Sequence, residues 1–547
     1  MSEQPMSRQQ LQAAAALLAT VSPLADELGA LFARKGYDLA LVGGPVRDVF
    51  LGRPPSDFDL TTDARPERVL ELIRGWADQV WTIGIDFGTI GLRKGSTHFE
   101  ITTYRSEHYE RGSRKPDVEY GESLEDDLSR RDFTVNAMAA RLPGHDLVDP
   151  FGGLSDLKAR VLRTPASPEA SFDADPLRIL RAARFVAQLG FSPRPELRAA
   201  MSELSPRLGI VSAERLSAEL AKLIRADLPG GPSAGIRLLV DTGVAEQVLP
   251  EVPKLRLETD EHYRHKDVYQ HSLTVLDQAI DLEERYGLHQ DLVLRLAALL
   301  HDIGKPRTRS RLPGNRVAFH HHEVVGAKMA RKRLAELRFP KEVVADVSRL
   351  IELHLRFHGY GTGEWTDSAV RRYVTDAGPL LTRLHALTRA DCTTRNQAKA
   401  QRLARAYDSL EERIAVLAER EELAAIRPDL DGNEIMAILG VPPGPVVGRA
   451  YAYLLELRLE HGPLGRERAT RDLLGWAAEA GVPLPERPAP SGPESPAAEL
   501  TAPEPPPREP AGPGSAAPDS AAPDSAERPA AESPGPAVPP APRPAGD

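Results

Sequence analysis

A chain of 547 residues with one cysteine is long enough for several domains and cannot form an internal disulfide. The lone Cys392 fits a reducing cytosol, and the alanine-rich run Ala13–Ala19, short and followed by Pro23, reads as a helix rather than a signal or membrane anchor. A net charge of −10 excludes a uniformly basic nucleic-acid binder, so any RNA partner must be met by local patches.

In chain order, a helical lead over residues 1–35 precedes an apolar run from Tyr37 to Val42, a buried strand ending at glycine. Gly43 and Gly44 lack Cβ atoms, so the backbone can turn sharply and bring N–H groups near an anion. Pro45 suits the first turn of a helix, whose N-terminus favours phosphate, and Arg47 adds a charged fork. Asp57 and Asp59 follow, spaced by two. In a strand both point to one face, where paired carboxylates can hold Mg²⁺. A lone Gly-Gly is an ordinary turn and a lone Asp-x-Asp an ordinary solvated loop. In this order and at this spacing they describe a nucleotidyl-transfer site.

The stretch Leu41–Asp48 with Ser56–Asp59 resembles the signature of the polymerase-β-like nucleotidyltransferases, specifically the class II CCA-adding tRNA nucleotidyltransferases and bacterial poly(A) polymerases. The resemblance implies an α+β head, followed by an all-α neck and body. Phe87–Thr89 and Glu100–Arg105 resemble the next two strands of that head, with Glu100 a third acidic group near the metals. Arg130–Ala137 is similar to the ribose-recognition motif, which gives Asp132 the ribose hydroxyl and Arg131 the triphosphate. A surface Arg-Arg-Asp cluster is the plain alternative.

Asp175 before Pro176 is a good helix start, and Arg178, Arg181 and Arg184 follow at steps of three along a slowly winding stripe. A cap with solvated arginines accounts for that pattern without any ligand. The family resemblance instead makes Asp175 and Arg178 the readers of the Watson–Crick edge of CTP or ATP, with Arg181 and Arg184 lining the nucleotide site. Ala174 stands where the family has Glu. Ser212–Leu220 resembles the neck helix, and Glu107–Ser123 occupies the place of the flexible loop that matters for switching to ATP.

Downstream, His271 sits in an amphipathic helix, His301 and Asp302 close the apolar run Leu292–Leu300, and Asp391 follows another helix. With the Gly304-Lys305-Pro306 turn these residues resemble the signature of HD metal-dependent phosphohydrolases. The resemblance implies an all-α HD domain binding a divalent metal of unspecified identity. His322 and His354 are further candidate ligands, although the run His320–His322 equally suits a solvated loop.

The tail from Glu486 has 19 prolines and no aromatic residue, and repeats Ala-Ala-Pro-Asp-Ser at Ala516 and Ala521. It cannot bury enough apolar surface to offset ordering, so it reads as a disordered extension with an unidentified partner. Its ten acidic against four basic residues give −6, leaving the body near −4, with RNA contacts expected at Arg130-Arg131, the Arg178 stripe and Arg371-Arg372. The expected domains are a helical segment 1–35, a nucleotidyltransferase head 36–165, a helical neck 166–255, an HD domain 256–400, a helical region 401–485 and the tail 486–547.

The expected function is addition of CCA to the tRNA 3′ end from CTP and ATP, releasing pyrophosphate, without a membrane partner. A poly(A) polymerase or a partial CC- or A-adding enzyme shares the fold. An HD-type RNA or nucleotide phosphohydrolase with a binding-only head is the alternative of another class.

Overall fold

The computed structural model describes residues 16, 18 and 23–484, apart from 54–57, 109–116, 122, 257–266, 314–315, 358–364, 395 and 422–425. Asp57, the tail from Glu486, the centre of the Glu107–Ser123 loop and most of the Ala13–Ala19 run lie outside the described residues.

The head is built on a mixed sheet. Its strands are β1 (Leu39–Val42), β2 (Phe58–Thr62), β3 (Gln79–Trp81), β4 (Thr89–Lys94) and β5 (Thr97–Thr103). A hairpin of β6 (Arg105–His108) and β7 (Asp117–Tyr120) stands outside the sheet, and β8 (Ala139–Arg141) and β9 (Asp146–Val148) complete it. The order is β3-β4-β5-β2-β1-β8-β9, with β2 and β5 parallel and the other neighbours antiparallel. Period-two alternation divides the side chains. Phe58, Leu60, Ile90, Leu92, Phe99 and Ile101 are buried in one core with Leu28 and Phe32 of the helix Pro23–Ala33 and Val69 and Ile73 of the helix Pro66–Ile73. The opposite face carries Asp59 and Glu100, both exposed.

Among the described residues beyond Val161, the regular structure is helical except for two short pairings: Val161–Leu162 with Ser192–Pro193, and a hairpin of Arg309–Leu312 with Arg316–Phe319. The hairpin lies inside the region expected to be wholly helical. It places Phe319, whose carbonyl accepts a hydrogen bond from His322 Nδ1 at 2.9 Å. The helices Gly432–Leu439, Pro445–His461 and Arg466–Glu479 close around a small core of their own that includes Leu430, Ile435, Leu454 and Leu473.

A buried arginine joins neck to HD region. Arg295, 2% exposed, donates to both carboxylate oxygens of Glu283 at 2.7 Å and to the carbonyls of Ile224 and Ala226 at 2.9 Å. It thereby satisfies carbonyls at the end of the helix Ala213–Ile224 that have no partner within the helix. The helix that carries it, Leu292–Leu300, runs directly into His301 and Asp302.

Candidate active site and metal centre

β1 ends at Gly43, whose φ of 73° is one that L side chains rarely adopt, and a Cβ there would lie 3.1 Å from Arg131 Nη1. The helix Gly44–Phe50 starts at once, with Pro45 in its first turn. Across the sheet, Asp59 of β2 stands directly opposite Glu100 of β5. Partners in adjacent strands share a face, so the two carboxylates are neighbours.

A cavity of about 450 Å³ opens over them. Asp59, Glu100, Thr89 and Thr102 form its sheet side, while Asp127, Arg130, Arg131 and Asp132 enter from the segment after β7. The neck helices supply Asp175, Arg178, Arg181 and Arg215. Asp127, Thr89, Thr102 and Arg215 escaped sequence reasoning. Arg215 lies 40 residues from Asp175, and only the packing of the helix Ala213–Ile224 brings its Nη2 to 3.1 Å from Asp175 Oδ2.

Asp132 is the most tightly held group. Its Oδ1 accepts from Asn136 Nδ2 at 2.9 Å and the Phe133 amide at 2.8 Å, and its Oδ2 accepts from Arg181 Nε at 2.8 Å and Nη2 at 2.5 Å. Burial opposes its ionisation, but Arg181 and Asn136 overcome that and hold the carboxyl well below the usual range. Arg178 donates to Ser171 Oγ at 2.9 Å and to the Arg130 carbonyl. Asp175 Oδ1 accepts from the Leu177 amide at 3.1 Å, so this carboxylate caps the helix Leu177–Leu189 as it faces the cavity.

Three arginine expectations change. Arg47 turns inward, donating to Asp48 and, at 2.6 Å, to Asn136 Oδ1, and it is not among the cavity lining. Arg184 packs over the Phe185 ring at 4.3 Å and pairs with Glu219 at 2.7 Å, also away from the lining. Burial pushes its guanidinium down to about 10. The stripe is therefore half-buried, with Arg178 and Arg181 alone reaching the cavity. Arg371, expected on an RNA-facing patch, is buried on Glu421, while Arg372 pairs with Glu456 and Glu460.

In the HD region the ligand types converge. His271 Nε2 is 2.9 Å from Asp391 Oδ1 and 3.3 Å from His301 Nε2, and His301 Nε2 is 3.2 Å from Asp302 Oδ2. Asp302 Oδ1 faces His322 Nε2 at 3.3 Å, and Lys305 Nζ lies 2.9 Å from Oδ2. Two sets of donor atoms each gather within 4.8 Å: His271, His301 and Asp391, and Asp302, His322 and His354. His322 thus begins a helix as a buried residue instead of lying in a solvated loop.

His301, His322 and His354 share one device. Each Nδ1 lies 2.7–2.9 Å from the carbonyl three residues before it, on Ala298, Phe319 and Ile351 respectively. Donation there fixes the tautomer and leaves each Nε2 lone pair for a cation. His322 Nε2 is buried with Asp302 Oδ1 as its neighbour at 3.3 Å, but makes no well-aligned hydrogen bond to it, as two ligands of one cation would not in the bare protein. Burial opposes protonation of His301, yet Asp302 and Asp391 push it up to about 10, whereas burial pushes His354 down to about 3. A cation binding there takes over the charge balance and displaces the proton. The donor set fits a divalent metal.

The mixed sheet with its acidic rung and arginine-rich cavity defines the head as a nucleotidyltransferase. Residues 39–163 match the poly(A) polymerase head domain, 190–255 the probable RNA- and SrmB-binding site of polymerase A, and 268–420 the HD domain. An A-adding tRNA nucleotidyltransferase of Deinococcus radiodurans is 35% identical over 450 residues, covering 80% of this chain and 96% of that protein. A CCA-adding enzyme of Geobacillus stearothermophilus is 39% identical over 227 residues, covering 41% of this chain and 54% of that enzyme, so the match spans about half of it. In fold, the chain resembles the Bacillus stearothermophilus CCA-adding enzyme in complex with CTP, with TM-score 0.58 and 23% identity over 84% of this chain and 99% of that one. The Thermotoga maritima CCA-adding enzyme complexed with tRNA gives TM-score 0.54 at 18% identity, over 85% and 98%. This chain belongs to the tRNA nucleotidyltransferase and poly(A) polymerase family. Enzymes of this class and HD domains alike depend on divalent metals. Among the described residues, no helix is long and apolar enough to cross a membrane.

Proposed function

We propose that this protein builds the 3′-terminal CCA of tRNA from CTP and ATP, releasing pyrophosphate. The supporting observation is the Asp59–Glu100 rung at the floor of a cavity whose other walls carry cationic and base-matching groups. Asp57, Asp59 and Glu100 would hold Mg²⁺, which when bound stabilises charge on the transferring phosphoryl group. Arg131, beside the Gly43–Gly44 turn, receives the triphosphate, with the turn's backbone N–H groups adding donors. Arg47, in the helix that follows the turn, donates instead to Asn136 Oδ1. Asp132, kept ionised by Arg181, accepts from a ribose hydroxyl. Asp175 and Arg178 supply an acceptor and a donor for the base edge, with Arg215 orienting Asp175.

Addition of the terminal A alone is a second reading, favoured by the Deinococcus radiodurans relative matched over 96% of its length. One assay separates them: tRNA ending before CCA and tRNA ending in CC, each incubated with CTP, ATP and both. CCA addition requires incorporation of C into the first substrate, and failure to incorporate it there, with A added to the second, selects the other reading.

The HD module is proposed as a metal-dependent phosphohydrolase acting on phosphate or 2′,3′-cyclic phosphate ends. His271, His301, Asp302 and Asp391 would hold a divalent cation, joined by His322 and His354, and a bound cation supplies hydroxide near neutral pH. Its metal is identified by assaying hydrolysis with Mg²⁺, Mn²⁺, Ni²⁺ and Co²⁺. Absence of hydrolysis with all of them makes the module a scaffold.

A further inference from the structure

The rung that pairs Asp59 with Glu100 continues across the sheet. Glu100 of β5 is opposite Gly91 of β4, and Gly91 is opposite Trp81 of β3. Residues in register share a face, so Trp81, Gly91, Glu100 and Asp59 form one row on the cavity side of the sheet. Gly91 has no side chain, and the indole of Trp81 fills its place: a Cβ there would fall 1.9 Å from Trp81 Nε1 and 2.4 Å from Cε2. The ring therefore lies on the β4 backbone two strands from Asp59, about 10 Å away at ordinary strand spacing. His98 packs against it, with ring centroids 5.8 Å apart.

The connection from β3 to β4 extends this surface. Ile83 is 92% exposed and Phe87 44% exposed, among the most exposed large apolar residues described. The turn is nevertheless ordered by its own backbone: Ile85, Phe87, Gly88 and Thr89 donate to Thr82, Gly84, Ile85 and Gly84, and Thr103 of β5 donates to Gly88. It ends at Thr89 in the cavity lining. An apolar, aromatic shelf is thus continuous with the site of phosphoryl transfer, on the side of the third carboxylate.

We infer that Trp81, seated on Gly91, is a positioning residue on which the terminal nucleobase of the RNA acceptor stacks, placing its ribose hydroxyl toward the Glu100–Asp59 rung. This rests on the proposed transfer to RNA. The chemistry suits an acceptor more than an incoming nucleotide. Asp175, Arg178 and Arg215 offer hydrogen-bonding groups for an identified base, whereas a π-face accepts any base that ends the growing strand.

The test uses the full chain, with tRNA and with an acceptor-stem RNA carrying 2-aminopurine at its 3′ end. Base stacking is worth enough that Trp81→Ala should raise the KM for RNA about ten- to a hundredfold. The KM for nucleotide should stay unchanged, and the protein-dependent quenching of 2-aminopurine should disappear. Trp81→Phe should restore most of both effects, which a loss of folding at this edge strand does not allow. Gly91→Ala, which displaces the indole, should reproduce the alanine variant, with a thermal melt confirming that each protein is folded. If the parent extends RNA and Trp81→Ala matches it in KM and quenching, the platform is wrong and the function stands. A rise in nucleotide KM alone also overturns it. A parent that extends no RNA overturns the proposed function and the platform with it.

Discussion

The two candidate centres handle buried charge in opposite ways. In the head, carboxylates meet guanidinium groups: Arg181 grips Asp132, Arg215 reaches Asp175, and Arg131 lies 3.2 Å from Asp127. Among the described residues at the cavity floor, Asp59 and Glu100 are exposed. In the HD centre the partners are imidazoles, three aimed by backbone carbonyls and His271 by the Thr393 hydroxyl, with a lysine beside Asp302. A guanidinium cannot give up its proton, so the head keeps a permanent internal balance and takes its substrate between fixed charges. Imidazole can, so a cation entering the HD centre would displace protons. The first arrangement suits recognition of a large charged substrate and the second suits tight retention of a small ion.

The sharpest way to break this contrast is to remove one carboxylate from the rung. Asp59→Ala should lower nucleotide addition by about 10³-fold or more, while tRNA affinity in a gel-shift assay changes little, because the rung acts on the transferring phosphoryl group. Near-normal addition would show that the rung is not the catalytic floor.

The reciprocal test is His301→Ala combined with Asp302→Ala. CCA addition should persist and bound divalent metal in the HD region should fall, measured by elemental analysis of the dialysed protein. Phosphatase and cyclic phosphodiesterase activities should vanish. A thermal melt must accompany the assay, because both residues are buried. Full hydrolysis by a folded double variant would remove the HD centre as its source.

Arg181→Met probes the permanent balance itself. Leaving Asp132 buried without its cation should cost roughly 3–5 kcal/mol at pH 7. In the parent, Asp132 is held below the usual carboxylate range, so its contribution is present above the unfolded value near pH 4 and is lost as pH falls through the folded one. In the variant, burial is opposed only by Asn136, the Phe133 amide and Arg178, so Asp132 rises relative to the parent and acid relieves part of the penalty. The stability gap should therefore narrow from pH 7 toward pH 4 in urea melts. A gap independent of pH would mean that packing, not charge, dominates.

The smallest effect concerns base choice. Arg178→Ala should reduce preference for CTP and ATP over UTP and GTP by about ten- to a hundredfold, the value of one base contact of roughly 1–3 kcal/mol. Unchanged selectivity would place base reading elsewhere.

The local parts of this architecture were legible in the chain. The glycine turn and Asp59 announce themselves because apolar run, glycine pair and spaced carboxylates are consecutive. The histidines stand at the ends of recognisable helices. What escaped was tertiary. Arg215 reaches Asp175 only through helix packing, and Thr89 joins Thr102 only through the β4–β5 register. Arg47 and Arg184 have the right residue type but the wrong direction, because Asn136 and Glu219 draw them inward. Three-residue spacing in a helix cannot tell which of its arginines meets a cavity and which meets a neighbouring acid. His322 needed the Phe319 carbonyl, supplied by a hairpin that the sequence pattern did not announce.

Arg295 bears on how such a chain can be cut or recombined. Its guanidinium closes the end of the helix whose opening turn carries Arg215, while its own helix delivers His301 and Asp302. Separating neck from HD region would leave the Ile224 and Ala226 carbonyls without their donor, while Arg295 would keep Glu283 on the HD side. Arg295 shares that boundary with Ser233–Asp277, Arg237–Gln270 and Arg333–Glu251, so an exchange of one module must carry the other's side of each of these contacts with it.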